Sequence, residues 1–242
     1  MGKIWIVGIG PGNQEMMTKK AIDTLKNSDV IIGYTGYIAL LGDDFSNIEK
    51  IATGMRGEVE RCRMCFEKAL ENKNVSLICS GDAGVYGMAS LIFELSSEYS
   101  EVEIEVVPGV SASLSGAAIL GAPINHDFVT ISLSDLLTPW EVIEKRLRMA
   151  SAGDFVITLY NPSSHKRKDY LERACEILLE NLSGDTACGY VKNIGRNGEA
   201  AWVGTLLELK DEKVDMFTTC FIGNSQTFIK DGKLITPRGY KI

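Results

Sequence analysis

Positive charge is scarce in this chain: 25 Lys and Arg face 32 Asp and Glu, a formal charge of -7 over 242 residues. A general nucleic-acid or acidic-membrane surface needs the opposite balance, so neither partner is expected, although a local basic patch could take an anionic small molecule. Long apolar runs are also missing. None approaches the ~18 residues of a membrane span. The chain opens at once into a strand pattern, Lys3 to Val7, without the layout of a secretory signal, and a cytoplasmic protein is expected. A zinc framework is lacking too. Cys62 and Cys65 form a CxxC, but inside the strongly helical EVERCRMCFEKALE, and no second pair lies nearby to complete about four ligands. The six cysteines read as reduced thiols in apolar strands and helices, and no protein metal site is expected.

What remains is an ordinary globule, 45% hydrophobic and 24% charged, long enough for one large or two modest domains. Strand and helix patterns alternate. Lys3–Val7, Val30–Ile32, Val75–Cys79 and Val102–Val107 read as strands; Gln14–Asn27, capped by Asn13, Glu58–Asn72 and a stretch around Met88–Glu98 read as helices. A small-residue helix grows out of PGVSASLSGAAILG. The rhythm resets around GAPINHD, Gly121 to Asp127. After it come strands Phe128–Leu133, Phe155–Tyr160 and Thr186–Val191, helices Pro139–Ala150 and Asp169–Asn181, and strands near Ala200–Val203 and Thr219–Gly223. The reading is an α/β protein with mainly parallel sheets, in two domains, 1–122 and 123–242.

VGIGPGN, Val7 to Asn13, invites comparison with a dinucleotide loop, and again an absence decides. Counting from Gly8 gives Gly10 and then Asn13, where a third glycine should pack helix on strand. The ribose-binding acid fails as well: Asp29 begins the second strand instead of ending it. Pro11 removes a backbone N–H that a pyrophosphate would need. A nicotinamide enzyme is therefore a poor reading. Three other loops, SGDAGVYG (Ser80–Gly87), PGVSAS (Pro108–Ser113) and YNPSSHKRK (Tyr160–Lys168), each follow a strand. In a parallel sheet such loops line the carboxyl edge, where ligands bind.

GIGPG, SGDAGVYG and PGVSA together resemble the tetrapyrrole methylases, over essentially the whole chain. INHDFVTISLSDLLTPWEVIEKRL, with GYTGY upstream and YNPSSHKRK downstream, is similar to the branch that methylates C17 of precorrin-3B or cobalt-factor III in cobalamin biosynthesis. The resemblance implies two α/β domains with a cofactor cleft between them, a homodimer, S-adenosylmethionine as methyl donor with S-adenosylhomocysteine as product, and an anionic tetrapyrrole as substrate. It also implies an associated contraction of the macrocycle. The readings left beside it are a methylase acting at another ring carbon and a scaffold that binds a tetrapyrrole without catalysis.

Carried over by motif, Pro11 borders the cofactor pocket, Gly81 and Asp82 meet the methionine and ribose part, and Val85 makes an apolar wall. Ser111 and Ala112 add contacts, while Tyr160, Asn161, Lys192, Ile194 and Thr219 enclose the adenine. Ala83 stands where the family commonly has proline. Asp82 on its own would be an ordinary turn former. Methyl transfer from a sulfonium needs orientation more than acid–base groups, so no triad is expected. Ring contraction needs proton transfers, for which His126, Asp127, Tyr86 and Asp135 are candidates. The substrate's carboxylates call for local cations: Arg56, His165, Lys166, Arg167, Lys168 and Arg196. The KRK run could equally be a solvated helix start, but positive charge there opposes the helix dipole. Arg61 and Arg63 read as surface residues.

Overall fold

The computed structural model describes residues 2–241, and the chain divides into two compact units, Met1–Ala112 and Ser113–Ile242. In the first, strands β1 (Lys3–Gly8), β2 (Val30–Tyr34), β3 (Glu49–Thr53), β4 (Val75–Cys79) and β5 (Glu103–Val107) alternate with helices α1 (Lys19–Lys26), α2 (Thr35–Ile38), α3 (Glu58–Leu70) and α4 (Ala89–Leu95). The strands make one wholly parallel sheet in the order β3-β2-β4-β1-β5. Parallel strands need crossover connections, so helices cover both faces and the inner strands are largely apolar. Ile4, Ile6, Ile32 and Leu77 pack with Phe66 and Ile92 in one core; Val7, Ile31, Ile78 and Val107 pack with Leu25 and Phe45 in another.

Local chemistry departs from the sequence reading at three places. The helix expected over Gln14–Asn27 is interrupted: a 3-10 turn covers Gln14–Met16, Met17 is extended, and α1 starts at Lys19. Its cap is Thr18, whose Oγ1 accepts the Ala21 N–H at 3.1 Å, whereas the Asn13 side chain makes no capping bond. A Ser or Thr at this position satisfies one of the donors that a helix start leaves over. The strand expected to stop at Ile32 runs on to Tyr34 and the short α2 follows at once, so GYTGY spans the end of β2 and most of α2. β3 was not foreseen; it is an edge strand whose Glu49 is exposed, so its apolar pattern is diluted.

The second unit begins with α5 (Ala112–Leu120) and continues with β6 (Gly121–Ala122), β7 (Phe128–Ser132), α6 (Trp140–Ala152), β8 (Val156–Tyr160), α7 (Tyr170–Leu178), β9 (Ala187–Lys192), β10 (Ala200–Thr205), α8 (Leu206–Lys210), β11 (Thr218–Ile222), β12 (Phe228–Lys230) and β13 (Lys233–Ile235). Its main sheet, β10-β9-β11-β8-β7, is mixed and not mainly parallel as expected. β7 and β8 run parallel, but β11 is antiparallel to both β8 and β9, and β10 is antiparallel to β9. A small sheet joins β12, β13 and β6. The units part at the first residue of α5, earlier than the boundary read after Ala122, and α5 and β6 pack against the C-terminal strands. A Cβ on Gly116 would lie 2.9 Å from Phe221 Cζ and 3.1 Å from Ile194 Cδ1, and β6 pairs with β13.

Strand direction decides which loops meet. β7, β8 and β9 end, and β11 begins, at one edge of the second sheet: Ser132 pairs with Tyr160, and Lys192 with Thr218. Phe221 is fully buried towards the end of β11. Phe221→Ala is expected to cost about 3–5 kcal/mol, read as a lower denaturant midpoint with unchanged slope.

Candidate functional site

In the first unit the loops after β1, β4 and β5 are tied together at the carboxyl edge. Gly10 donates its N–H to the Gly81 carbonyl at 3.1 Å, and Gly81 donates back to the Gly10 carbonyl at 2.7 Å. Asp82 completes the tie: Oδ1 accepts the Gly84 N–H at 2.8 Å and Oδ2 the Gly109 N–H at 2.9 Å. Such close backbone approach needs glycine. A Cβ on Gly109 would lie 2.2 Å from the Gly81 oxygen, and one on Gly8 would lie 2.7 Å from the Gly109 nitrogen. Asp82 therefore braces its own loops, which its sequence context alone did not reveal. Pro11 and Ser111 are buried, Val85 and Ala112 half-buried, and Ala83 is fully enclosed, its carbonyl accepting the Ala89 N–H at 3.2 Å.

This edge is not built for phosphate. The Ile9 N–H goes to the Cys79 carbonyl at 2.9 Å, the Gly10 N–H to Gly81, Pro11 has none, and only a 3-10 turn comes next. Instead the edge offers small side chains and closely packed backbone. That surface fits a ligand without phosphate, such as S-adenosylmethionine with its carboxylate, ammonium and sulfonium.

Arg61 corrects the sequence reading. It is only 3% exposed. Its guanidinium donates to Thr53 Oγ1 at 2.5 Å, the Gly54 carbonyl at 2.8 Å and Met88 Sδ at 3.3 Å, linking the end of β3 to the loop before α4. The signal was present: Arg61, Cys65 and Ala69 repeat at four-residue spacing along the buried face of α3. Arg63 is half-buried and pairs with Glu98 at 2.8 Å. Cys62 and Cys65 lie within the same face, where burial pushes the Cys62 thiol up to about 12 and Cys65 well above its ordinary value. Arg56 stands exposed in the loop after β3 with a left-handed backbone, φ +68. Tyr86, φ +54, is exposed in the loop after β4.

In the second unit Tyr160, Asn161, Lys192, Ile194 and Thr219 gather at the shared edge of β8, β9 and β11. The Tyr160 hydroxyl accepts the Ser113 N–H at 2.8 Å, at the start of α5. Asn161, φ +54, donates from Nδ2 to Ser132 Oγ at 2.9 Å. Lys192 pairs with Asp215 at 2.6 Å. Ile194 and Thr219 are buried. Arg196 lies over the Phe217 ring, 5.6 Å from its centroid.

Asp135 and Arg167 also belong to this edge, but bound to each other. Arg167 Nε and the Tyr170 hydroxyl, the latter at 2.5 Å, both donate to the Asp135 carboxylate. The Tyr170 bond, aided by Arg167, holds Asp135 below its ordinary range, and the same bond together with burial pushes Tyr170 up. An aspartate so held stays ionised near neutrality, with both carboxylate oxygens already engaged by Arg167 and Tyr170. Arg167 is likewise committed to Asp135 and is not a loose cation; His165, Lys166 and Lys168 beside it are exposed. Tyr170 and Ser132 were not among the expected site residues.

His126 and Asp127 do not join this group. They precede β7, at the opposite edge of the sheet, about 16 Å away across a five-residue strand. There they line a hollow with Asp154, Phe155, Asn224 and Gln226. His126 Nδ1 accepts the Asp127 N–H at 2.9 Å. Among the described residues no group of three His, Cys, Asp or Glu side chains could hold a metal ion, and no helix is long and apolar enough to cross a membrane.

Two of these contacts can be tested by substitution. Gly109→Ala pushes a methyl against two backbones and should destabilise the fold by about 1–3 kcal/mol, measured by thermal melting. Asp135 has a lowered value in the fold, so its stabilisation is complete above the ordinary aspartate range and is lost as pH falls through the lowered one. The stability gap between the parent and Asp135→Asn should therefore shrink between about pH 7 and about pH 3, followed by urea titration at each pH.

The model of the tetrapyrrole (corrin/porphyrin) methylases matches residues 3–210. The chain is 47% identical to the "Probable cobalt-factor III C(17)-methyltransferase" of Salmonella typhimurium, over 98% of this chain and 99% of that one. It is 36% identical to the precorrin-3B C(17)-methyltransferase of a Sinorhizobium species, over 99% and 97%. Among solved structures, that of the methyltransferase CobJ superposes with a TM-score of 0.90 at 34% identity, over 98% of this chain and all of that one. Full-length likeness in sequence and fold, with glycine-tied loops at the carboxyl edge of the first sheet, places the chain in the tetrapyrrole methylase family.

Proposed function

We propose that this protein transfers the methyl group of S-adenosylmethionine to C17 of cobalt-factor III or precorrin-3B in cobalamin biosynthesis. The observation that carries the reading is the tie between Gly10, Gly81, Asp82 and Gly109 in a chain alike over its whole length to C17-methyltransferases. When bound, S-adenosylmethionine supplies an electrophilic methyl on a positive sulfur. The chain's own part is to hold and orient. Gly81, Val85 and the Ser111–Ala112 turn receive the methionine and ribose end, with Pro11 as a wall. We assign the adenine to Tyr160, Asn161, Lys192, Ile194 and Thr219. Asp82 acts through the loops it braces. An electron-rich ring carbon held in line needs no base to attack, so orientation carries most of the rate.

Contraction of the macrocycle is the associated event. Of the four side chains expected to move protons, Asp135 has both oxygens engaged by Arg167 and Tyr170, and His126 and Asp127 stand at the far edge of their sheet. Tyr86, in the loop that carries Gly81, is the one we assign to proton exchange, through its Oη. His165, Lys166 and Lys168, with Arg56 and Arg196, meet the acetate and propionate carboxylates. The active form is a cytoplasmic homodimer.

The test is transfer of isotopically labelled methyl, followed by mass spectrometry, with cobalt-factor III and precorrin-3B offered separately. One added methyl on either sustains the reading and identifies the substrate; binding of both without transfer would make the protein a scaffold. Calorimetry should detect S-adenosylhomocysteine, and silence there overturns the cofactor assignment. Replacing Lys166 and Lys168 together by Ala should raise KM for the macrocycle several-fold, about 0.5 kcal/mol per lost exposed pair, with the effect fading in high salt.

A further inference from the structure

Leu136 and Leu137 are 60% and 97% exposed, side by side in the loop from β7 to α6. Single exposed leucines need no explanation. These two sit on a segment fastened at every turn. Leu133 donates its N–H to the Tyr160 carbonyl at 2.9 Å, and Asn161 donates to Ser132 Oγ. Asp135 takes Arg167 and Tyr170. Trp140, where α6 begins, lies 4.5 Å from the Tyr170 ring, and the Arg173 guanidinium lies 4.1 Å from the Trp140 ring centroid. A fastened loop with an apolar tip has already met the ordering cost that a ligand would otherwise impose.

The same clasp joins this tip to a cationic turn. Arg167 belongs to the bridge it forms with Ser164, N–H to carbonyl in both directions at 3.2 and 3.0 Å, and His165, Lys166 and Lys168 stand exposed around it. An apolar tip coupled to a cluster of cations complements a flat, apolar ligand edged with carboxylates. We propose that Asp135, Arg167 and Tyr170 are positioning residues that set Leu136 and Leu137 against the face of the tetrapyrrole while the adjoining lysines meet its carboxylates. This makes SLSDLLTPW a specificity element of the second unit. The inference rests on the function proposed above, and adds the residues that select the macrocycle.

The experiment uses the full chain and reads macrocycle binding by absorbance titration with cobalt-factor III and precorrin-3B, alongside steady-state kinetics. Leu137→Ser, at a site the fold does not bury, should weaken macrocycle binding and raise KM roughly tenfold with S-adenosylhomocysteine affinity unchanged, and Leu137→Met should restore most of it. Asp135→Asn and Tyr170→Phe should raise KM more than they lower kcat and leave the pH profile of kcat in place. Unchanged macrocycle affinity in Leu137→Ser overturns the inference, and loss of self-association in that variant would assign the leucines to a second copy of the chain. Loss of one limb of the pH profile in Asp135→Asn, with KM unmoved, would make Asp135 a proton donor and overturn it as well. Failure of the parent protein to move a methyl would sink the proposed function; the titration judges the leucines separately.

Discussion

Backbone packed directly on backbone is the constraint on which the first unit's chemistry depends. Where the loops after β1, β4 and β5 meet, the distance from Gly109 to the Gly81 carbonyl leaves no room for a methyl group. Three loops drawn that close present amides, carbonyls and small side chains as one continuous surface. The bonds that draw them together also consume the N–H groups a phosphate would need. One arrangement therefore both favours a phosphate-free cofactor and disfavours a dinucleotide. Asp82 is central because its two oxygens answer N–H groups from different loops, and charge-assisted bonds of this kind are stronger than neutral ones.

The second unit reaches a comparable result by another route. Its sheet is mixed, so ends of β7, β8 and β9 and the start of β11 share an edge. Side chains, not glycines, fasten that edge: Tyr160 to α5, Asn161 to Ser132, Asp135 to Arg167 and Tyr170. The cost is commitment. A guanidinium and a carboxylate that look available in a linear reading are spent on each other, and the chemistry of the edge passes to their neighbours.

Much of this was legible beforehand because it is local. Strand runs such as Val75–Cys79 are mostly apolar because they are covered on both faces, and small-residue loops after strands mark a ligand edge in any parallel sheet. GIGPG, SGDAGVYG and PGVSA could be recognised as a set. What escaped was long-range. Glu49–Thr53 is strand only because β2 pairs with it. Arg61 is inside because Thr53, Gly54 and Met88 converge on it. Antiparallel β11 sits between β8 and β9, an order that no run of residues announces.

The sequence by itself determined the α/β class, the family and the loops that carry its chemistry, since periodicity, glycine spacing and motif order are properties of neighbours along the chain. Tertiary structure alone decided what each charged group is for. His126 stands at the edge opposite Asp135 because it precedes β7 and Asp135 follows it, and Asp135 is a brace because β7 and β8 are parallel and adjacent, bringing Arg167 and Tyr170 to its carboxylate. A side chain's role depends on which partners lie within bonding distance, and only folding sets that distance.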